Sequence, residues 1–515
     1  MKTILVRLIG DPAENLYLLG LKEKAAFLKL EDRVSRLLST NSFLRYGQEI
    51  LGKARGLFKK KDESFFDACV RSYAEGLGIE ASRYMNFLAL FEMAAHYGQI
   101  YPELKALLPG CTSVLTSSKS GITHTRLLDF PLIGIFEEAP RLYYWQTSAG
   151  HTLLNYSCEG LAPLFLQGIH GSGFSFALHH KPGAAYHKEG QSIFQIAFEA
   201  LFDCRDLLGF KKEIRKKISV TKWSFILLDK SGSVAVMDIA GPAVNVESYS
   251  VHDTSPLIFT NIPLKNDASG FEHFLRFSQD RQAWLKDKIS PLITGHPLDL
   301  MTDVEDQKAR KWRHPTATLS TTGAFHVNLT EGTLDIKEGS AALVSSDPIF
   351  QFSLSGGADS KLLKKATPPG PFEAAWKRAS LAQSAFDDGR FDQAYHQLQM
   401  SIAQIPSLLW KDILSFYLYT WDFKFVSGNR ELCLVYKKLK KLQLPALLMD
   451  QRNLLVMRFE KKLDLSATVT VDDVSAPYKE LFARERAASK TVFAAWMKLI
   501  YPRIELLDVF APHQR

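Results

Sequence analysis

The sequence is poor in cysteine: five occur in 515 residues (Cys69, Cys111, Cys158, Cys204 and Cys433), without a CxxC or Cys/His metal spacing. Neither a disulfide framework nor a zinc site of ordinary spacing is supported, and reduced thiols are expected. Long apolar runs are also missing: Met85–Ala95 is too short to span a bilayer and carries Glu92, so no transmembrane segment is expected. The first residues, MKTILVRLIGDPAEN, have their apolar stretch broken by Arg7 and closed by Asp11-Pro12. They lack the uninterrupted core of a signal peptide and read as a strand and a turn, which makes a cytoplasmic protein the expectation. The net charge of +8 comes partly from short lysine clusters such as Lys59-Lys60-Lys61 and Lys437-Lys438, scattered along the chain without interleaved aromatics. Scatter of this kind marks solvated faces, and no nucleic-acid partner is expected.

What is present is enough apolar material, 46% of residues, for a large core in a chain too long for a single one. From Lys22 to about Leu108 the pattern is helical, with Phe65, Phe66, Cys69, Val70 and Tyr73 recurring at three- and four-residue spacing. Leu107-Leu108-Pro109-Gly110 ends that block. Thr112–Thr116, a Lys119-Ser120-Gly121 turn and Ile122–Arg126 then predict a β-hairpin. Further strands are predicted at Arg141–Thr147, Thr152–Ser157, Phe174–His180, Trp223–Leu228, Val234–Ile239, Leu257–Thr260, Thr316–Ser320, Ala324–Leu329 and Ala341–Val344. Helices are predicted at Ser192 to about Leu208 and at Phe271–Lys286. Runs of strands flanking a few helices indicate an α+β class. Turn-forming residues through Ala366-Thr367-Pro368-Pro369-Gly370-Pro371 suggest a linker, and the rest is mostly helical. Ala382, Ala385, Gly389, Phe391, Ala394, Leu398, Ile402 and Pro406 there match one tetratricopeptide-like hairpin, where three or more would be needed for a solenoid.

Cys111 follows Gly110 at the junction of helix and strand, and the second arm of the hairpin carries Arg126 and Asp129. A lone cysteine is more often a buried small hydrophobe than a nucleophile. Three further elements follow in order: Gly168-Ile169-His170-Gly171-Ser172-Gly173-Phe174, then Thr260-Asn261, then Ser278-Gln279-Asp280-Arg281. In these residues the chain resembles the N-terminal-nucleophile cysteine hydrolases and acyltransferases, the branch with isopenicillin N acyltransferase, acid ceramidase, N-acylethanolamine acid amidase, penicillin V acylase and bile salt hydrolase. The resemblance runs from about residue 1 to 355. In that branch a Cys precedes an Arg-x-x-Asp strand and a later Thr-Asn; here Cys111 and Arg126 are fifteen residues apart.

The resemblance implies a four-layer αββα sandwich over 111–358, preceded by a mostly helical pro-segment (1–110) and followed by a linker (359–371) and a helical domain (372–515). It implies self-cleavage between Gly110 and Cys111, after which the freed α-amine of Cys111 serves as base for its own thiol. Arg126 would pair with Asp129 or supply positive potential to the thiolate, Asp129 would hold the nucleophile, and Asn261 would donate to the oxyanion. His180, in the place of a residue that helps form the oxyanion hole or positions substrate, is a further catalytic candidate. His170 and Arg281 are candidates for substrate binding, Arg281 through a substrate carboxylate. The implied reaction is hydrolysis of, or acyl transfer from, a linear non-peptide amide through a Cys111 thioester, without metal or cofactor. The substrate would be a small molecule with an apolar acyl chain permitted. Two alternatives stand beside this: an uncleaved, non-catalytic protein acting through a partner of its C-terminal helices, and a papain-like enzyme pairing Cys111 with His170 or His180.

Overall fold

The computed structural model describes residues 3–38, 64–100, 110–130, 134–136, 138–148, 150–183, 186–253, 256–265, 272–289, 295–304, 317–339, 341–353, 355, 360–497 and 504. The stretch Leu107-Leu108-Pro109, expected to end the first helical block, lies outside them, as do Phe271 and Gly356-Gly357.

Two sheets form the centre. The first contains β1 (Ile4–Gly10), β4 (Pro140–Thr147), β5 (Thr152–Cys158), β6 (Gln167–His170), β7 (Phe174–His180), β8 (Trp223–Asp229), β9 (Ser233–Ala240) and β10 (Ala243–Ser250), in that spatial order. The second runs β11 (Leu257–Phe259), β2 (Gly110–Ser118), β3 (Gly121–Asp129), β12 (Thr321–Asn328), β13 (Thr333–Lys337), β14 (Ile349–Ser353) and β15 (Lys361–Lys364). All neighbours are antiparallel except β1 and β4, so the N-terminal strand joins the sheet edge alongside β4.

Strand alternation places the side chains. Odd positions of β2 face the first sheet: Ser113 Oγ lies 2.9 Å from His179 Nε2 on β7. On β3 the even positions do so, with His124 Nδ1 3.0 Å from Ser175 Oγ of β7. The opposite face of the second sheet presents Val114 and Leu127 to Trp284 and Leu285 of the helix Glu272–Lys288. On the far side of the first sheet, Trp145 of β4 packs edge-on against Phe198 and Phe202 of the helix Ile193–Asp203. The helix Phe65–Leu77 adds Phe65 and Phe66 to that cluster.

The N-terminal residues are woven into this body. Glu23, in the helix Pro12–Leu38, accepts from Tyr143 Oη at 2.8 Å and from the Gly160 amide at 2.9 Å. Glu92, in the helix Ala81–Ile100, accepts from the amide of Ile193 at 3.1 Å and from Thr221 Oγ1 at 2.9 Å. The helices Pro371–Asp387, Phe391–Gln404, Leu408–Phe425, Asn429–Leu439, Ala446–Leu463, Ala476–Ala487 and Lys490–Met497 follow as a succession of packed helices, not a single hairpin. Phe372, Trp376 and Ala379 share a core with Leu319, Ala342 and Val344, and Asp388 pairs with Arg33. Four expectations change. Thr316–Ser320 and Ala341–Val344 are not strands: 317–320 and 341–344 run as turns and bends, while Thr316 is outside the described residues. The helix from Ser192 stops at Asp203, and a second begins at Leu207. The segment 359–371, expected to be a linker, contains β15, hydrogen-bonded to β14. The strand expected in the first residues is β1, and Gly110, the last residue of the block 1–110, is the first of β2.

Among the described residues no helix is long and apolar enough to cross a membrane, and no three His, Cys, Asp or Glu side chains are grouped to hold a metal ion. None of the five cysteines, all among the described residues, is in a disulfide.

Candidate active site

Cys111 is the second residue of β2 and only 1% exposed. Its odd parity turns the thiol toward the first sheet. On the neighbouring β3, Arg126 lies diagonally across, since Ser113 is its direct partner and Leu128 is that of Cys111. Arg126 Nη2 donates to Cys111 Sγ at 3.1 Å and to the carbonyl of Leu178 at 2.6 Å. Nη1 donates to the Leu166 carbonyl at 2.6 Å and to Gln167 Oε1 at 3.1 Å. The guanidinium is thus fixed by three groups of the facing sheet and its approaches, and it presents a permanent positive charge to the sulfur.

Asp129 is three residues further along the same strand, so it faces the other side of the sheet. This overturns the expected pairing with Arg126 and leaves Arg126 with its second assigned role, that of a charge beside the thiol. Asp129 Oδ2 instead accepts from Arg281 Nη1 at 3.1 Å, and Oδ1 from Thr321 Oγ1 at 2.6 Å. Burial raises the pKa of Asp129, opposed by the cation of Arg281 and the Thr321 hydroxyl. Gly110 is directly opposite Asp129 in the ladder, and a Cβ built on it would come within 2.8 Å of Asp129 Oδ2. A side chain at this position would have to displace the carboxylate.

β11 pairs with β2 only as far as Phe259 opposite Ser113. Beyond that point a side chain continues the ladder: the Cys111 amide donates to Asn261 Oδ1 at 2.9 Å. Arg281 Nη2 donates to the same oxygen at 2.8 Å, and Asn261 Nδ2 donates to the His180 carbonyl at 2.8 Å. Arg281 also reaches Thr112 Oγ1 at 2.8 Å. It is wholly buried and bonded to Thr112, Asp129 and Asn261, where a substrate carboxylate, its expected partner, would have to displace one of them. Burial lowers its pKa, opposed by Asp129 and Cys111.

The structure therefore brings Gly110, Cys111, Arg126, Asp129, Asn261 and Arg281 together from three distant stretches of chain. The two histidines lie elsewhere. The His180 ring packs edge-on against Trp223, 5.1 Å away, on the side of the sheet that carries the helix Ile193–Asp203. Its backbone carbonyl, not its imidazole, meets Asn261, and burial holds the ring neutral with a pKa of about 3. The His170 ring stacks on Phe174 at 4.8 Å and lies 2.7 Å from Ser172 Oγ through Nδ1, in the turn between β6 and β7. Among the described contacts neither imidazole reaches Cys111, which removes the geometric basis for a papain-like pair.

Sequence reasoning missed Thr321, Thr112 and Lys181. Nothing local in the sequence distinguishes the two threonines from their neighbours. Lys181 follows the His179-His180 pair, and its buried Nζ donates to the carbonyls of Thr260 and Ile262 at 2.8 and 2.7 Å. Between the sheets, beside Arg126, Gln167, Leu154, Ile169, Phe176 and Phe325, there is a cavity of ≈ 10 Å³, about the volume of one water.

No family model and no curated protein matches the chain. Solved structures do. An N-acylethanolamine-hydrolyzing acid amidase ortholog from Caenorhabditis elegans aligns at 14% identity and a TM-score of 0.32, covering 47% of this chain and 100% of that one. Penicillin V acylase from Agrobacterium tumefaciens aligns at 13% and 0.32, covering 49% and 91%. A variant of conjugated bile acid hydrolase from Clostridium perfringens aligns at 12% and 0.29, covering 50% and 99%. These are enzymes of the branch that the sequence motifs resemble.

Proposed function

We propose that this chain is the precursor of an amide-cleaving cysteine enzyme of the N-terminal-nucleophile type, built as an αββα sandwich and activated by cutting itself between Gly110 and Cys111. The carrying observation is that Cys111 has a cation on its sulfur and a side-chain acceptor on its amide nitrogen, 3.1 and 2.9 Å away respectively. Such an arrangement suits a residue whose thiol and nitrogen both react.

In the first reaction the Cys111 thiol loses its proton and adds to the Gly110 carbonyl carbon. The Gly110–Cys111 C–N bond breaks, the nitrogen takes up a proton, and the Gly110 acyl group is left on sulfur as a thioester. Water then cleaves the C–S bond, which releases the Gly110 carboxylate and regenerates the thiol next to a new α-amine. Arg126 favours the thiolate, while Asp129, fixed by Arg281 and Thr321, sets the position of Gly110.

In the mature enzyme the α-amine accepts the thiol proton, and the thiolate attacks the carbonyl of a small-molecule amide. Asn261 Nδ2, given to the His180 carbonyl in the intact chain, is the assigned donor to the oxyanion. The amine product leaves with the proton, and the acyl thioester passes to water in a hydrolase or to an amine in an acyltransferase.

The test is the mass of purified wild-type, Cys111→Ser and Cys111→Ala protein incubated across pH. Fragments 1–110 and 111–515 from the wild type, with none from the alanine variant, support the proposal. One observation favours the alternative of an uncleaved, non-catalytic protein: the thiol is 1% exposed and the adjoining cavity holds little more than a water. A wild-type chain that stays intact at every pH favours that reading.

A further inference from the structure

Lys181 is a buried cation outside the machinery described so far. Its side chain enters between the first sheet and the segment after β11, and none of the ion pairs of the described residues includes it. Two main-chain carbonyls receive its Nζ: that of Thr260 at 2.8 Å and that of Ile262 at 2.7 Å. The residue between them is Asn261, whose side chain receives the Cys111 amide. Leaving an ammonium in the interior without a paired carboxylate is costly, and a neutral residue would usually serve packing better. The Thr260 carbonyl is also the end of a polar chain across the sheets, Ser175–His124–Ser113–His179, with His179 Nδ1 3.3 Å from that oxygen. A carbonyl can only accept, so His179 carries its proton on Nδ1 and takes the Ser113 hydroxyl on Nε2. His124 then donates to Ser113 from Nε2. The Thr260 carbonyl thus receives both His179 of β7 and Lys181, which directly follows that strand.

We infer that Lys181 is a positioning residue for the Cys111 reaction: by bridging the carbonyls on either side of Asn261 it fixes the carboxamide that holds the Cys111 nitrogen, and it adds a third positive charge to the site. This rests on the proposed self-cleavage. Lys181 faces Asp238 on β9, Cys111 on β2, Lys222 before β8, Arg281 on its helix, and its neighbours His179 and His180. Burial, with Lys222 and Arg281, brings its pKa down to about 8 against the pull of Asp238 and Cys111. The charge is present below that pH and is lost above it.

The experiment compares wild type, Lys181→Met, Lys181→Gln and Lys181→Arg in the full chain by two readouts. Amide hydrogen exchange at position 111, resolved by fragmentation mass spectrometry in a Cys111→Ala background that cannot cut itself and so keeps the amide, reports the Asn261 contact independently of self-cleavage. Lys181→Met is expected to lose about 10²-fold in protection at position 111 while β8 keeps its own, and to slow self-cleavage about 10²-fold. Lys181→Arg is expected to retain both, and the ratio of wild-type to Lys181→Arg cleavage rates should fall as the pH passes about 8. Lys181→Gln serves if the methionine variant does not fold. Unchanged exchange at position 111 in a folded methionine or glutamine variant overturns the assignment. A wild type that never cuts itself defeats the proposed function instead, and the exchange data still decide the role of Lys181.

Discussion

Replacing Gly110 with alanine probes the contact that fixes the cleavage site. A Cβ there would lie 2.8 Å from Asp129 Oδ2 and 3.1 Å from its Cβ, against an ordinary separation of 3.4 Å or more. The carboxylate has little room to retreat, because Arg281 Nη1 and Thr321 Oγ1 hold its two oxygens at 3.1 and 2.6 Å. Overpacking of this kind costs about 1–3 kcal/mol, and half an ångström of displacement at a reacting carbonyl costs about tenfold in rate, given that a full ångström costs about a hundredfold. Gly110→Ala is therefore expected to melt a few degrees lower and to cut itself at least about tenfold more slowly. Thermal unfolding and a time course of intact mass at fixed pH measure both effects. Adding Thr321→Ala, which releases one carboxylate oxygen, should make the combined loss smaller than the sum of the single losses. Wild-type melting and wild-type cleavage in Gly110→Ala would refute the claim that this carboxylate sets the geometry of the scissile peptide.

Arg126→Lys should abolish most self-cleavage, by about 10²-fold or more, because a single ammonium cannot replace a planar fork shared among Sγ, two carbonyls and Gln167; the same intact-mass assay reads it. Asn261→Leu should lower cleavage by about 10²–10³-fold, and a drop in melting temperature should accompany the orphaned Cys111 amide and His180 carbonyl. Burial raises Glu92 to a pKa of about 7. The folded state thus holds a proton that the unfolded state has released, so stability should fall as pH rises from about 4.5 to 7, by on the order of 3 kcal/mol. Denaturant titrations of Glu92→Gln should show a shallower slope over that window. After cleavage, the fragments should elute together in size-exclusion chromatography, held by β1 on β4 and by the contacts of Glu23 and Glu92.

The β2–β3 hairpin was legible because β-branched residues flank the Lys119-Ser120-Gly121 turn, and the strands at Trp223 and Val234 for the same reason. β10 was not, since Asn245, Glu247 and Ser248 on a half-exposed edge strand leave little apolar signal. Ala341–Val344 looked like a strand from its apolar composition, but its apolar residues are buried without strand geometry, Ala342 and Val344 against the helix Pro371–Asp387 and Leu343 against the outer face of the second sheet. At the site, Cys111, Arg126, Asp129 and Asn261 could be singled out by type and order. Their partners could not, because partners follow from parity and burial. Three residues along a strand turn Asp129 away from Arg126, and one residue separates the inward His179 from the outward His180. Arg281 could be singled out only as a substrate-binding candidate, because its burial follows from the packing of its helix against β2 and β3.

The place of β1 at the sheet border has a consequence for making the protein in pieces. A chain started at residue 111 would already own its terminal amine, yet β4 would lack its outer neighbour and Tyr143 its carboxylate acceptor. Supplying residues 1–110 from a second gene would demand that two partly folded halves find each other before the bare rim of the sheet finds something else. Synthesis as one chain, with the proposed cut made afterwards, avoids that search, because β1 is already beside β4 when the sheet forms.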